Sequence, residues 1–288
     1  MNKIKKITIF GATGMLGLPV TKKLLKDGFQ ITAFVRDINK AQKVLPLEIN
    51  LVNGDLQNIH AIKNSLKEAD GVYISLSNPK MEKDFNPEKN GIENILRAAK
   101  EVNVKHIIFL SSFIARNYQG NWWMFLDKKK GIELVKESKI PYTIFYASSF
   151  MENFDRGMIM GSKVRMFSYP IENQSYWLSV SDYAKFVSNA FKKKISLNKE
   201  YAVQGPQGLT TRQAAEVFAE NYTKKQLGVS TIPLKLMKFI GVILPPIANI
   251  SRTAEADILT EEKWEAQKTI DDLGYEPKIT LADFAKAK

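Results

Sequence analysis

Three glycines, Gly11, Gly14 and Gly17, stand at intervals of three in the stretch "IFGATGMLG". They follow an apolar, β-branched run and open an amphipathic one, so they lie where a strand hands over to a helix. Each glycine has its own use there. Gly11 permits a tight turn, Gly14 lets the backbone approach a ligand with no Cβ in the way, and Gly17 lets the helix lie close on the strand. The free amides around Thr13, Met15 and Leu16 then face outward at the positive end of the helix dipole, an arrangement suited to a pyrophosphate. A glycine-rich turn without a ligand has the same composition. The strand before, the helix after and the alternation beyond favour a dinucleotide.

A second cluster capable of chemistry is the lysine run Lys128, Lys129 and Lys130. On a helix, Lys128 falls in phase with Ile132 and Val135, four and seven residues on, and shares their inward face. Its two neighbours point elsewhere, about 100° apart in turn. Three adjacent lysines also suit a solvated patch, and that reading stays open.

These groups need a scaffold, and the first half of the chain supplies an alternating one. Apolar runs fall at 4–10, 31–35, 48–52, 71–75, 106–110 and 142–146. Helix-like stretches lie between them at 16–26, 38–44, 58–67, 87–101 and 125–137. Strands separated by single helices imply an α/β fold, a doubly wound parallel Rossmann sheet with helices on both faces. Ligands of such sheets sit at the carboxyl ends of the strands.

The second half is less regular. "SVSDYAKFVSNAF" reads as a helix capped at Ser181, and a further helix is expected to start near Thr210 or Thr211. Residues 232–250 read as an apolar helix ended by Pro245 and Pro246, and "LGYEPKITLADFAKA" as a turn and a final helix. The expected division is an NAD(P)-binding Rossmann domain over 1–150. Residues 151–288 would complete the sheet and form a small α/β substrate subdomain over its carboxyl edge.

Composition bounds the chemistry. The 288 residues are 44% hydrophobic, enough for a sizeable core. With no cysteine and two histidines, His60 and His106, a thiolate or multi-histidine metal site is not expected. The net charge of +12 is spread along the chain without a nucleic-acid motif, so it reads as a solubilising surface and no nucleic-acid partner is expected. "MNKIKKITIF" passes straight from a basic cap into a strand, and Lys238 with the Pro-Pro pair interrupts "LMKFIGVILPPIANI". Neither a secretion signal nor a membrane span is expected, and the placement read from this is cytoplasmic.

The order and spacing of "GATGMLG", "FVRD", "NGDLQN", "IPYTIF", "FMENF", "SVSDYAKFVSNAF" and "YAVQGPQGLT" resemble the NmrA-like group of atypical short-chain dehydrogenases over nearly the whole chain. The resemblance implies a Rossmann domain, NAD(P) and a small substrate domain. The group contains reductases of quinones, phenolics and imines, and also NADP-binding redox sensors without catalysis. Arg36, after the second strand, can pair with a 2′-phosphate and stack on adenine, which favours NADP(H) over NAD(H). Its rival is Asp37, which could grip a ribose hydroxyl but has a helix N-cap available instead. Asp55 and Leu56 match the family position beside the adenine, although "NGD" is also an ordinary turn. Ser75 and Ser77 follow the fourth strand and would pass the nicotinamide ribose.

In the catalytic region the resemblance implies Ser112, with Ser111 beside it, and Lys128. The tyrosine of the YxxxK pattern is missing: Met124 stands four residues before Lys128, Phe125 stands before Lys129, and Tyr118 is out of phase. Phe113, Trp122, Trp123, Phe150, Met151 and Phe154 collect near the same edge, with Glu152 and Asn153 as polar neighbours. Of these, Phe113, Trp123, Phe150 and Asn153 are the candidates to hold an apolar or aromatic substrate. The expected function is an NADP(H)-dependent oxidoreductase transferring hydride to an apolar carbonyl or quinone-like acceptor. The rival is a non-catalytic NADP(H)-binding sensor with a regulatory protein partner.

Overall fold

The alternation of the first half folds as a single parallel sheet. The computed structural model describes residues 4–78, 85–155, 157–168 and 173–288. Strands β1 (Lys6–Phe10), β2 (Gln30–Val35), β3 (Asn50–Asn53), β4 (Gly71–Ile74), β5 (His106–Ser112) and β6 (Tyr142–Ala147) are interleaved with α1 (Gly17–Lys26), α2 (Ile38–Gln42), α3 (Ile59–Leu66), α4 (Ile92–Glu101), α5 (Phe113–Asn117) and α6 (Trp123–Glu137). Beyond them come β7 (Ile159–Met160), β8 (Lys163–Ser168), β9 (Gln174–Tyr176), α7 (Val180–Lys192) and β10 (Lys199–Val203). The sheet has seven strands in the order β3-β2-β1-β4-β5-β6-β10, every pair parallel. The strand order reverses between β1 and β4, which opens a crevice at their carboxyl ends.

Both faces of the sheet are covered, and the pleat sorts the side chains between them. Ile7, Ile9, Tyr73, Ile108 and Phe145 enter the core with α1 and α7. Phe10, Val72, Ile74, Ile107, Phe109 and Ile144 enter the opposite core with α3, α4 and α6. The one-residue offset along each strand produces two cores from continuous apolar runs.

The remaining chain builds a smaller layer. It comprises β11 (Gly208–Thr210), α8 (Thr211–Asn221), β12 (Gly228–Pro233), α9 (Leu234–Gly241), α10 (Pro245–Leu259), α11 (Gln267–Leu273) and α12 (Leu281–Lys286). A third core of Met151, Phe154, Val164, Trp177, Phe218 and Phe284 joins the 3-10 turn Met151–Asp155 to the strands and helices there. Phe154 and Phe218 stack at 4.4 Å.

Four expectations need correction. Helix α7 is capped by Ser179, not Ser181: the Ser179 side chain accepts from the Asp182 amide. Leu178 and Met151 hold the chain extended up to that point, so the helix starts earlier. Second, 232–250 is not one helix. Pro245 and Pro246 open α10, because a missing N–H costs nothing in a first helical turn. Third, the expected helix 87–101 begins as a π-turn over Pro87–Gly91, capped by Asn86, before α4 takes over. Finally, β1 starts at Lys6, where pairing with β2 begins.

Candidate functional site

The glycine loop fills the crevice between β1 and β4. Gly11 has a φ of +99°, and a Cβ there would lie 2.1 Å from the Ser75 carbonyl oxygen after β4. A Cβ on Gly17 would lie 2.0 Å from the Gly11 carbonyl oxygen. Both glycines therefore answer to backbone packing. Gly14 does not: its Cβ would meet only the Gly11 oxygen, at 3.3 Å, with open space beyond. The first residue before α1, Leu16, offers no side-chain cap. Among the described residues, the amides of Thr13, Met15 and Leu16 have no acceptor, whereas Gly14 donates to Gly11 at 3.1 Å. The result is a helix start with open donors and a backbone cradle beside it.

The cradle opens onto a cleft of about 340 Å³. Its floor is the loop residues Gly14, Met15, Leu16 and Gly17, with Ser75 and Ser77 after β4. Ser111, Ser112 and Phe113 at the end of β5, Lys128 on α6, and Phe150 and Asn153 after β6 form the next wall. Residues from five separate chain segments thus converge on the carboxyl edge of the sheet. Arg36, Asp55, Leu56 and Trp123 stand outside this lining, and Gly11 and Thr13 belong to the loop beneath it.

Ser112 and Ser111 differ in what they do. The Ser112 hydroxyl accepts from the Ala115 amide and caps α5. The Ser111 hydroxyl is buried against the cleft and has no partner among the described residues. A buried hydroxyl without a partner is costly, so it is poised for a group entering from the cleft.

Lys128 does turn to the cleft, and it is held there. Its ammonium is hydrogen-bonded to the carboxylate of Glu88, a side chain only 5% exposed. Glu88 lies in the π-turn and also accepts from the Asn78 amide at 3.2 Å. Lys130 pairs instead with Glu133 at 3.1 Å along the helix surface. Met124 and Phe125, at the positions of the missing tyrosine pattern, line the cleft with apolar surface. Tyr118 is taken up by the Trp122 amide, which donates to its hydroxyl at 2.9 Å.

The aromatic cluster divides. Phe113 and Phe150 reach the cleft, Phe150 resting edge-on against Tyr183 at 5.6 Å. Met151 and Phe154 belong to the third core. Trp122 and Trp123 pack on one another at 5.9 Å, and Trp122 leans on the sheet's second core. Glu152 is structural: both its oxygens accept from the Val180 amide, at 3.0 and 3.2 Å, at the start of α7. Burial nonetheless raises its pKa above the ordinary carboxylate value.

The far wall comes from residues that sequence spacing did not single out. Thr253 and Asp257 of α10 and Glu262 beyond it line the same cleft. Glu262 accepts from Ser148 and from Gln204, each at 2.9 Å. Burial pushes its carboxyl up to about 7, against those hydrogen bonds, which favour the charged form. Burial likewise pushes Asp257 up to about 6. Two carboxyl groups with raised proton affinity therefore face the cleft.

At the adenine end, Arg36 is exposed and its guanidinium makes no ion pair with a described residue. Asp37 caps α2, accepting from the Lys40 amide at 3.0 Å. That bond, first among the causes, lowers the Asp37 pKa. Asp55 closes a local turn by accepting from the Gln57 amide at 2.9 Å. The Leu56 side chain lies against Gly91, where an added Cβ would meet it at 2.9 Å.

Known proteins share this architecture. Triphenylmethane reductase of Citrobacter sp., complexed with NADP(H), matches at a TM-score of 0.77 with 17% identity, covering 98% of this chain and 99% of that one. NADPH-dependent quinone oxidoreductase QOR2 of Escherichia coli, complexed with NADPH, matches at 0.73 with 21% identity over 98% and 99%. In sequence, the photosystem II assembly factor Ycf39 of Trieres chinensis is 28% identical over 281 residues, 92% of this chain and 85% of the relative. An NAD(P)H azoreductase of Xenophilus azovorans is 24% identical over 221 residues, 74% and 72% of the two chains. The profile of the NmrA-like family matches residues 3–277, and with its glycine cradle at the β1–β4 crevice the chain belongs to that family.

Proposed function

We propose that this protein binds NADP(H) along the β1–β4 crevice and reduces an apolar carbonyl or quinone-like acceptor in the adjoining cleft. The observation that carries the reading is Gly14. Its missing Cβ relieves only one contact, at 3.3 Å, far less than at Gly11 and Gly17, and it lies beside uncapped amides at a helix start. The pyrophosphate fits those donors, and the unpaired Arg36 suits a 2′-phosphate. Asp37 is already engaged as a cap, which supports NADP(H) over NAD(H).

When bound, the cofactor supplies a hydride. The chain's own residues supply the rest. Phe113, Phe125, Met124 and Phe150 give a planar, apolar acceptor a surface and exclude water from it. Lys128 orients a ribose hydroxyl or an acceptor oxygen, with Glu88 fixing its ammonium. Asp257 or Glu262, each partly protonated at neutral pH, can deliver a proton to the reduced oxygen. Titration with NADPH followed by oxidation assays against quinones and aromatic aldehydes tests the reading. NADPH binding with acceptor-dependent oxidation is the expected result.

A second reading, an NADP(H)-binding sensor without turnover, has one observation of its own. No tyrosine is among the described residues of the cleft lining. An assembly factor among the relatives supports that reading too. NADPH binding without oxidation by any acceptor would select it.

A further inference from the structure

One surface lies apart from the cleft chemistry. Helix α9 packs closely on α10, where a Cβ on Gly241 would meet the Ala248 backbone at 2.9 Å. The turn between the two helices turns its large apolar side chains outward. Leu236 is 51% exposed, Phe239 71%, Val242 84%, Ile243 75% and Leu244 48%. Contiguous exposed side chains of this size are unusual on a protein that needs no partner there.

The charges around the tip select the partner. Between Glu220 and Glu255 the sequence holds Lys224, Lys225, Lys235, Lys238 and Arg252 and no acidic residue. Glu255 engages Lys238 at 2.6 Å and Arg252 at 3.1 Å, which leaves Lys235 exposed beside the apolar tip. An apolar tip whose segment carries five cations against the single acid Glu255 matches an anionic lipid headgroup layer with hydrocarbon beneath it. A second copy would bring its own five cations against these, with only Glu255, already paired, to offset them. Helix α9 has eight residues, about 12 Å of rise, so it would lie in the interface and not cross. Among the described residues, no helix is long and apolar enough to cross a membrane.

We infer that the α9–α10 tip docks this protein reversibly on anionic membrane surfaces. Thr253 and Asp257 of the same α10 line the cleft, so docking brings the cleft close to molecules dissolved in lipid.

The test is sedimentation of the full chain with phosphatidylcholine vesicles and with vesicles that also contain phosphatidylglycerol. Binding to the anionic vesicles is expected, at least about tenfold stronger than to the neutral ones and weakened by salt. Lys235→Glu should weaken it by more than about fivefold. The double substitution Phe239→Glu, Ile243→Glu should abolish it without lowering the melting temperature, since both side chains are exposed. Failure of the natural chain to bind anionic vesicles overturns the inference, as does full binding by the double variant. A dimer in analytical ultracentrifugation that the double variant dissociates, without vesicle binding, overturns it in favour of a second copy. No NADPH enters the assay, so its outcome is separate from that of the reductase reading.

Discussion

Gly14 and Gly17 stand three residues apart in one loop, yet they should respond oppositely to an added side chain. At Gly17 the new Cβ would overlap a backbone oxygen at 2.0 Å and a backbone carbon at 2.8 Å. No flexible side chain is available to give way, so the loop and α1 must separate. An overpacking cost of about 1–3 kcal/mol or more is expected for Gly17→Ala. At Gly14 the only neighbour is at 3.3 Å, and φ is not in the left-handed region. Restricting the unfolded chain there contributes up to about 1 kcal/mol of stability, which offsets the slight crowding. Gly14→Val should therefore fold with a stability within about 1 kcal/mol of the natural chain.

Ligand linkage then separates the two roles. NADPH at a hundred times its Kd should stabilise the natural chain by about 2.7 kcal/mol. For a chain of this size that is roughly 4–5 °C in Tm. Gly14→Val should melt near the natural temperature without NADPH and show no shift with it. Melting by circular dichroism with and without NADPH reads both quantities, and cofactor fluorescence gives the affinity. A full NADPH shift in Gly14→Val would refute the assignment of the cradle. A Gly17→Ala variant as stable as the natural chain would refute the packing argument behind it.

Arg36→Ala should weaken NADPH binding by more than about tenfold and NADH binding much less, since a charge-assisted bond is worth about 1.5–3 kcal/mol. Equal losses in fluorescence titration would transfer the preference to Asp37. Lys128→Ala leaves Glu88 buried without its cation, so a loss of about 1–3 kcal/mol is expected besides lost turnover or cofactor affinity. Adding Glu88→Gln should recover stability but not activity, whereas Lys129→Ala and Lys130→Ala should stay within about 0.5 kcal/mol by denaturant melts. Glu262 has its pKa raised from 4.5 to about 7, so the folded state binds the extra proton and its contribution is complete below 4.5. That contribution is lost as pH rises through about 7. Buried His106, lowered from 6.5 to about 3, changes stability in the opposite sense over an overlapping range. The difference between the natural chain and Glu262→Gln isolates the first effect, and a difference that does not vary with pH from 4.5 to about 7 would refute it.

The sheet was legible because its signal is local. Alternation of short β-branched runs with single helices requires only neighbours in sequence, and the glycine triplet marks its own crevice. Lys128 was legible for a similar reason, since helical phase with Ile132 and Val135 selects one lysine from three. Its partner Glu88 was not, because a π-turn shifts the face a helical count assigns. Pro245 misled in the opposite direction: proline ends a helix from within and starts one from its first turn, and spacing alone does not separate the cases. Asp257 and Glu262 carried no motif at all. They reach the cleft because the second half of the chain folds back over the sheet, bringing Glu262 to Ser148 across more than a hundred residues.

That return also determines which groups can move a proton. Lys128 supplies the cation on the Rossmann side, but its ammonium is engaged by a carboxylate with almost no exposure. The ion pair fixes the ammonium in place, which suits Lys128 to holding an oxygen. The opposing wall has the reverse character. Asp257 and Glu262 sit where burial disfavours their charged forms, and the charge of Asp257 adds to the cost of ionising Glu262. On the reductase reading proposed above, the proton that a tyrosine would supply from α6 would come instead from α10 and the segment after it, across the cleft. The positions vacated on α6, Met124 and Phe125, become apolar floor. The Lys128 ammonium and the Asp257 and Glu262 carboxyls lie on opposite sides of a space lined by Phe113 and Phe150, an arrangement that, on the proposed reductase reading, would suit a flat acceptor.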